Sequence, residues 1–235
     1  MSRDNNKGFT LIELMLSMTF LSVLLLAIAM TVIQIGNIYN RGLILKEVNQ
    51  TGRTLSTELK TSINQSTAFP INYPTVGTKY IQSTWGGRLC LGQYSYIWNY
   101  GATLNNRTAN ATNSNVYTGN PATKIRFIKV ADPTGVYCTL PSQPTINPTG
   151  AVELLAAGTR DLVLHAFTIN FDPAASDTLT GQRLYTISFV VGTNDLTELN
   201  ANADTCLAPS QQASNIVYCA VNEFNITARA ANAVQ

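Results

Sequence analysis

The chain has 235 residues, of which only 12% are charged, about half the usual share for soluble proteins. Its 15 Lys and Arg nearly balance its 13 Asp and Glu, and no basic cluster is present, which argues against nucleic-acid binding through a basic patch. Its polar character comes largely from Asn, Thr and Ser. A polar, nearly neutral surface suits an exported protein or a packed polymer, in which net repulsion would be unfavourable.

The first predicted element is a long apolar segment. Residues 1–8, MSRDNNKG, are polar and basic, and residues 9–35 are mainly Leu, Ile, Met, Val, Ala and Phe. As a helix, the apolar segment would be about 40 Å long and would exceed the ~20 residues needed to cross a bilayer core. The positive-inside rule keeps the basic start in the cytoplasm. The segment is too long for a cleaved secretory signal. A simple signal anchor stays possible, but it leaves the carboxylate of Glu13 without a role.

The residues Lys7-Gly8-Phe9-Thr10-Leu11-Ile12-Glu13-Leu14, followed by the apolar segment, closely resemble the processing motif of type IV prepilins and type II secretion pseudopilins. This resemblance implies that a prepilin peptidase cuts between Gly8 and Phe9 and methylates the new N-terminus. It implies that Glu13 pairs with the terminal amine of a neighbouring subunit. It also implies other pilin or pseudopilin subunits and an inner-membrane assembly platform as partners. The protein would be held in the cytoplasmic membrane by one span, with its head outside, before it joins an extracellular filament or a periplasmic pseudopilus.

The chemistry of these residues agrees with that expectation. Gly8 has no side chain, so a protease can approach its backbone closely. Cleavage would expose a positive amine on a helix in lipid, and a carboxylate one turn along would suit a staggered neighbour. Major pilins commonly carry a proline midway along the apolar segment, whereas residues 9–69 contain none. This difference favours a minor pilin or a pseudopilin, and the sequence does not separate these two.

The helix is predicted to continue through residues 36–65 as an amphipathic segment. Val48, Leu55, Leu59 and Ile63 form one stripe, and Gly52 lies on it at a place of close packing. This stripe is expected to pack under a β-rich head formed by residues 66–235.

Short strands are predicted in the head, with loops between them. The strands are at residues 89–91, 94–98, 124–130, 152–156, 162–171, 183–191, 216–219 and 221–228, and the main loops are at residues 105–120 and 141–150. A long helix followed by antiparallel strands is the α+β pattern, and the family resemblance implies the same pilin-like fold.

The four cysteines are Cys90, Cys138, Cys206 and Cys219, and none forms a C-x-x-C pair. An even number in a chain with an export signal predicts two disulfides. Three pairings are possible. The short separation favours Cys206 with Cys219, which leaves Cys90 with Cys138. Free thiols in a cytosolic protein are the alternative.

No sequence motif of a hydrolase, a phosphate-binding loop or a zinc protease is present, so neither catalytic residues nor enzyme activity is predicted. A signal-anchored enzyme is kept as an alternative class. His165 is expected to share one strand face with Val163, Phe167, Ile169 and Phe171 as a packed or surface residue.

No cofactor or metal is predicted, with calcium at Asp172 and Asp177 as the alternative because oxygen ligands suit that ion. The aromatic residues in the stretch from 85 to 100 fit either core strands or the adhesive surface of a tip adhesin. They are Trp85, Tyr94, Tyr96, Trp98 and Tyr100.

Overall fold

The computed structural model describes residues 9–71, 79–104, 117–118, 124–139, 145–146, 150–155, 160–173, 181–200, 205–208, 210 and 217–230. One α-helix, α1 (Leu11–Gln65), precedes ten strands within these ranges. The strands are β1 (Tyr80–Gln82), β2 (Gly86–Cys90), β3 (Tyr94–Asn99), β4 (Tyr117–Thr118), β5 (Phe127–Ala131), β6 (Thr145–Ile146), β7 (Val152–Glu153), β8 (Leu162–Phe171), β9 (Arg183–Thr193) and β10 (Val221–Ala230). The predicted α+β class is confirmed.

The strands form two main antiparallel sheets. The first has five strands in the order β1-β2-β3-β5-β7, and the second has three in the order β10-β9-β8. The short strands β4 and β6 form a separate parallel pair. A bridge between Tyr100 and Leu164 links the end of β3 to β8. Both main sheets contribute to one core, in which the Trp98 ring lies 4.3 Å from that of Phe167, centroid to centroid.

α1 lies in two different environments along its length. Its large apolar side chains are exposed from Phe9 (82%) to Leu43 (41%), whereas Ile44 is only 1% exposed. The predicted stripe is confirmed, because Val48, Leu55, Leu59 and Ile63 are each 1% exposed or less. The N-terminal part of α1 is long and apolar enough to cross a membrane, and none of its most apolar 18-residue window is buried. The head therefore covers only the C-terminal part of the helix.

Gly52 is a point of close approach between α1 and the three-stranded sheet. A Cβ at Gly52 would lie 2.1 Å from Cζ of Phe224 on β10. The Phe224 ring stacks on Phe189 with centroids 5.3 Å apart, so it has little freedom to withdraw. The close packing predicted at Gly52 is confirmed.

A carboxylate on α1 joins the helix to the five-stranded sheet. Oε1 of Glu58 accepts hydrogen bonds from Nζ of Lys129 on β5 (2.6 Å) and from the Tyr96 hydroxyl on β3 (2.7 Å). Burial raises the pKa of Glu58, but the bonds from Lys129 and Tyr96 outweigh it and hold this pKa below its ordinary value. Glu58 is therefore ionised at neutral pH.

Two disulfides cross-link the chain, Cys90–Cys138 and Cys206–Cys219. These are the two pairings that the sequence favours. The first joins β2 to the 3₁₀ turn Val136–Cys138 after β5, and the second lies just before β10.

The face predicted for β8 is wrong in its first half. A β-bulge lies between Leu164 and Ala166, so Leu162 and Leu164 join Phe167 and Ile169 in the core cluster. Val163 and His165 lie on the other face. One extra residue reverses the alternation of every side chain before it, and period-two reasoning cannot detect the insertion.

Several predicted boundaries also need correction. The loops at residues 105–120 and 141–150 contain β4 and β6, which pair with each other; Ile146 is buried there, and two-residue strands are too short to show alternation. Of the strand predicted at residues 152–156, the described part (152–155) is extended only over Val152–Glu153. The strand predicted at residues 216–219 is wrong over its described part, where residues 217–218 form a turn before the disulfide at Cys219.

Replacement of Gly52 by Ala should lower the free energy of unfolding by about 1–3 kcal/mol, because the added methyl overlaps the held ring of Phe224. Thermal or denaturant unfolding of the full chain in detergent measures this. Gly42→Ala is the matched control, since a Cβ there meets nothing within 4 Å and alanine favours the helix. Equal effects of the two substitutions would contradict the packing.

Glu58→Gln should lower stability at neutral pH, with a difference from wild type that shrinks as the pH falls. A carboxylate whose folded pKa is lowered stabilises the fold above its unfolded pKa, and this contribution is lost as pH falls through the folded pKa. Unfolding midpoints between about pH 3 and 7 measure the effect. In a Lys129→Met background, the same substitution should have a smaller effect. A difference that does not change with pH in either background would refute this assignment.

Candidate functional site

The start of α1 is built as a capping box between Thr10 and Glu13. Thr10 is the N-cap, with extended backbone angles (φ −77°, ψ 150°), and its Oγ1 accepts a hydrogen bond from the backbone N–H of Glu13 at 3.3 Å. In return, Oε2 of Glu13 accepts from the Thr10 backbone N–H (3.0 Å) and from the Thr10 hydroxyl (2.9 Å). These bonds satisfy donors that a helix start leaves without partners.

The capping box fixes the position of a negative charge at the positive end of the helix dipole. Only one oxygen of Glu13 is used, because Oε1 has no partner within the part of the chain that the structure describes. The Glu13 carboxylate can therefore keep its cap and still accept a second donor.

Sequence reasoning assigned a role to Glu13 but missed Thr10. The signal was readable, since a Ser or Thr followed three residues later by Glu, ahead of an apolar run, is the pattern of a capping box. Thr10 and Glu13 therefore form one unit.

The bond predicted to be cleaved lies just before this cap. Gly8 is outside the described residues, and Phe9 precedes the helix with 82% of its surface exposed. α1 begins at Leu11, two residues later than the start of the predicted apolar helix. Phe9 is thus outside the regular hydrogen bonding of the helix.

Glu13 is the only charged residue between Phe9 and Asn40. The hydroxyls along the same exposed segment are bonded to carbonyl groups of their own helix, as with Ser17 to Glu13 O (2.6 Å) and Ser22 to Met18 O (2.7 Å). These hydroxyls can enter an apolar environment already satisfied. Glu13 is therefore the one charge on this predominantly apolar segment.

The other residues considered from the sequence lie apart from this segment. His165 is half-buried on β8, its Nε2 lies 3.0 Å from the Thr193 carbonyl oxygen, and burial lowers its pKa. Asp172 is exposed after β8, whereas Asp177 is outside the described residues. Over the described ranges, no group of three His, Cys, Asp or Glu residues is placed to hold a metal ion.

The aromatic residues in the stretch from 85 to 100 pack mainly in the core. Tyr96 and Trp98 are fully buried, and Trp85 and Tyr100 are partly buried. Tyr94 differs from them, with 42% of its surface exposed.

Comparison with known families gives one match. The family model described as the prokaryotic N-terminal methylation motif matches residues 3–32, which include Thr10 and Glu13. Comparisons with curated proteins and with solved structures give no match.

The matched motif implies processing by a prepilin peptidase and assembly with other pilin subunits, and it points to a structural subunit. The apolar first half of α1 fits membrane anchoring. The chain carries, at residues 3–32, the N-terminal methylation signature of type IV pilin and pseudopilin precursors.

Proposed function

We propose that the chain is the precursor of a minor subunit of a type IV pilus, which assembles through the N-terminal part of α1 for surface attachment, motility or DNA uptake. The observation that carries this proposal is the methylation motif on a helix whose apolar half is left uncovered by its own head. A surface of this size has to be covered by lipid or by other apolar helices. In a filament subunit, lipid covers this surface before assembly and the helices of neighbouring subunits cover it afterwards.

In this proposal, residues 1–8 are a leader that stays in the cytoplasm and is removed between Gly8 and Phe9. Residues 9–35 are held by lipid before assembly and by neighbouring helices afterwards. Residues 36–65 carry the head, formed by residues 66–235, on the outer side of the cytoplasmic membrane. The new amine at Phe9 is N-methylated and lies just before the helix cap, four residues ahead of Glu13 in the same subunit.

Glu13 is proposed to bind the terminal amine of the next subunit in the filament. The capping box supports this role, because it holds the carboxylate at the helix start with Oε1 free. An amine and a carboxylate in an apolar fibre are stable only when they meet, so this pair would select one axial stagger among the many that apolar side chains permit.

A continuous helix supports a minor subunit rather than a major one. α1 runs from Leu11 to Gln65 without interruption and contains no proline. A type II secretion pseudopilin shares these features. Recovery of the protein in sheared surface filaments, as a small fraction of the total, supports the minor pilin; recovery only with a periplasmic secretion complex supports the pseudopilin.

Glu13→Gln should leave processing intact but strongly reduce incorporation into filaments. Glutamine at this position can still close the capping box, so the substitution removes the charge and keeps the cap. The ratio of processed protein in sheared filaments to that in membranes measures incorporation.

Ser22→Ala is the control, since the Ser22 hydroxyl bonds only to carbonyl groups of its own helix. It should be processed and incorporated like wild type. Normal incorporation of Glu13→Gln would contradict the proposed charge pair.

A further inference from the structure

A groove in the head lies where α1 ends. It has a volume of about 470 Å³. One wall is formed by residues at and just after the end of α1 (Ser62, Gln65, Thr67), and the other by Gln93 in the turn after β2 and by Tyr94 at the start of β3. This volume is within the range of sites that bind small ligands. Glu13 does not line it, so the groove is separate from the proposed assembly contact.

The described residues that line the groove carry no charge. The side-chain amides of Gln65 and Gln93 make no hydrogen bond within the described part of the chain, so each offers a donor and an acceptor. Tyr94 adds a partly exposed aromatic ring. A ligand that matches these groups has many uncharged hydroxyls together with an apolar face that can lie on a ring.

The Tyr94 ring is held in place before any ligand arrives. Nζ of Lys129 lies 4.2 Å from the ring centroid, and the same ammonium group is bound to Glu58. The backbone carbonyl of Tyr94 accepts a hydrogen bond from Leu91 N–H at 3.0 Å, which closes the turn. A ring fixed in this way loses little conformational entropy on binding.

The Glu58–Lys129 pair also explains why the groove favours a neutral ligand. Lys129 is the cation beside Tyr94, and its charge is balanced by the carboxylate 2.6 Å away. The nearby Lys79 donates to Oγ1 of Thr67 at 2.8 Å. The walls therefore present amides, hydroxyls, a ring and apolar side chains, and Lys79 beside Thr67 is a single cation rather than the cluster that selects an anion.

We propose that this groove binds a pyranose unit of a neutral oligosaccharide, with its apolar face on Tyr94 and its hydroxyls on Gln65 and Gln93. The groove lies at the end of α1 remote from the membrane segment, since Gln65 is about 45 Å from residue 35 along the helix axis. This places it on the part of the head that points away from the cell in a membrane-anchored subunit. Binding of a neutral sugar by the head does not depend on the proposed assembly of the chain into a filament.

The test uses the full chain in lipid nanodiscs, because detergents with sugar head groups would compete. Binding is measured to immobilised neutral oligosaccharides of glucose, galactose, N-acetylglucosamine and N-acetylgalactosamine, with sialyllactose as the acidic arm. Wild type should bind at least one neutral oligosaccharide. Tyr94→Ala should weaken this binding by about tenfold and Gln93→Ala by about fivefold, whereas Tyr94→Phe should retain it.

Tyr218→Ala is the matched control, because Tyr218 is also exposed (47%) but does not line the groove. It should bind like wild type. If Tyr94→Ala fails to fold, Gln93→Ala still tests the proposed site, because Gln93 is exposed on a turn and its replacement should leave the fold intact. Absence of binding to every neutral oligosaccharide, binding to sialyllactose alone, or equal binding by wild type and the groove variants would overturn the proposal.

Discussion

The molecule depends on an apolar surface that its own head cannot cover. α1 is one continuous helix, yet its large apolar side chains are exposed through most of its first half, whereas one stripe from Ile44 to Ile63 is buried under the head. The head packs on the second part of the helix, where Gly52 meets Phe224, and leaves the first part uncovered. The protein is therefore built to be completed by lipid or by other helices, and the methylation motif occurs at the end where that completion is required.

Two carboxylates, one on each part of α1, differ in the same way as the exposed and buried parts of the helix. Glu58 has bonds to Lys129 and Tyr96, so its charge is used within the subunit to fix the helix on the five-stranded sheet. The carboxylate of Glu13 is bonded only to Thr10, and one of its oxygens is left open within the described structure. The Glu58–Lys129 pair is completed inside the head, whereas the Glu13 carboxylate is only half satisfied. The second oxygen of Glu13 can still accept a donor, as the proposed assembly contact requires.

The helix and the fold class could be predicted from the sequence, because a long amphipathic helix leaves strong local signals. The stripe of Val48, Leu55, Leu59 and Ile63 follows from periodicity. The end of α1 near Gln65 follows from the nearby Phe69-Pro70, and the α+β class follows from a long helix that precedes antiparallel strands. The head was harder, since a single bulge at His165 reverses the faces of β8 and two-residue strands leave no pattern. The groove beside Tyr94 could not be predicted, because it joins the end of α1 to a turn distant in sequence. The capping role of Thr10 could have been predicted, because the Thr-x-x-Glu pattern that forms the capping box is local in sequence.

The central claim is that the apolar helix becomes an assembly element once the leader is removed. Mass spectrometry of the N-terminal peptide, from protein isolated from cells that contain a prepilin peptidase, tests it most directly. The account predicts a mature chain that begins at Phe9 and carries one methyl group on its terminal nitrogen. A chain that keeps residues 1–8, or that begins at any other residue, would contradict it.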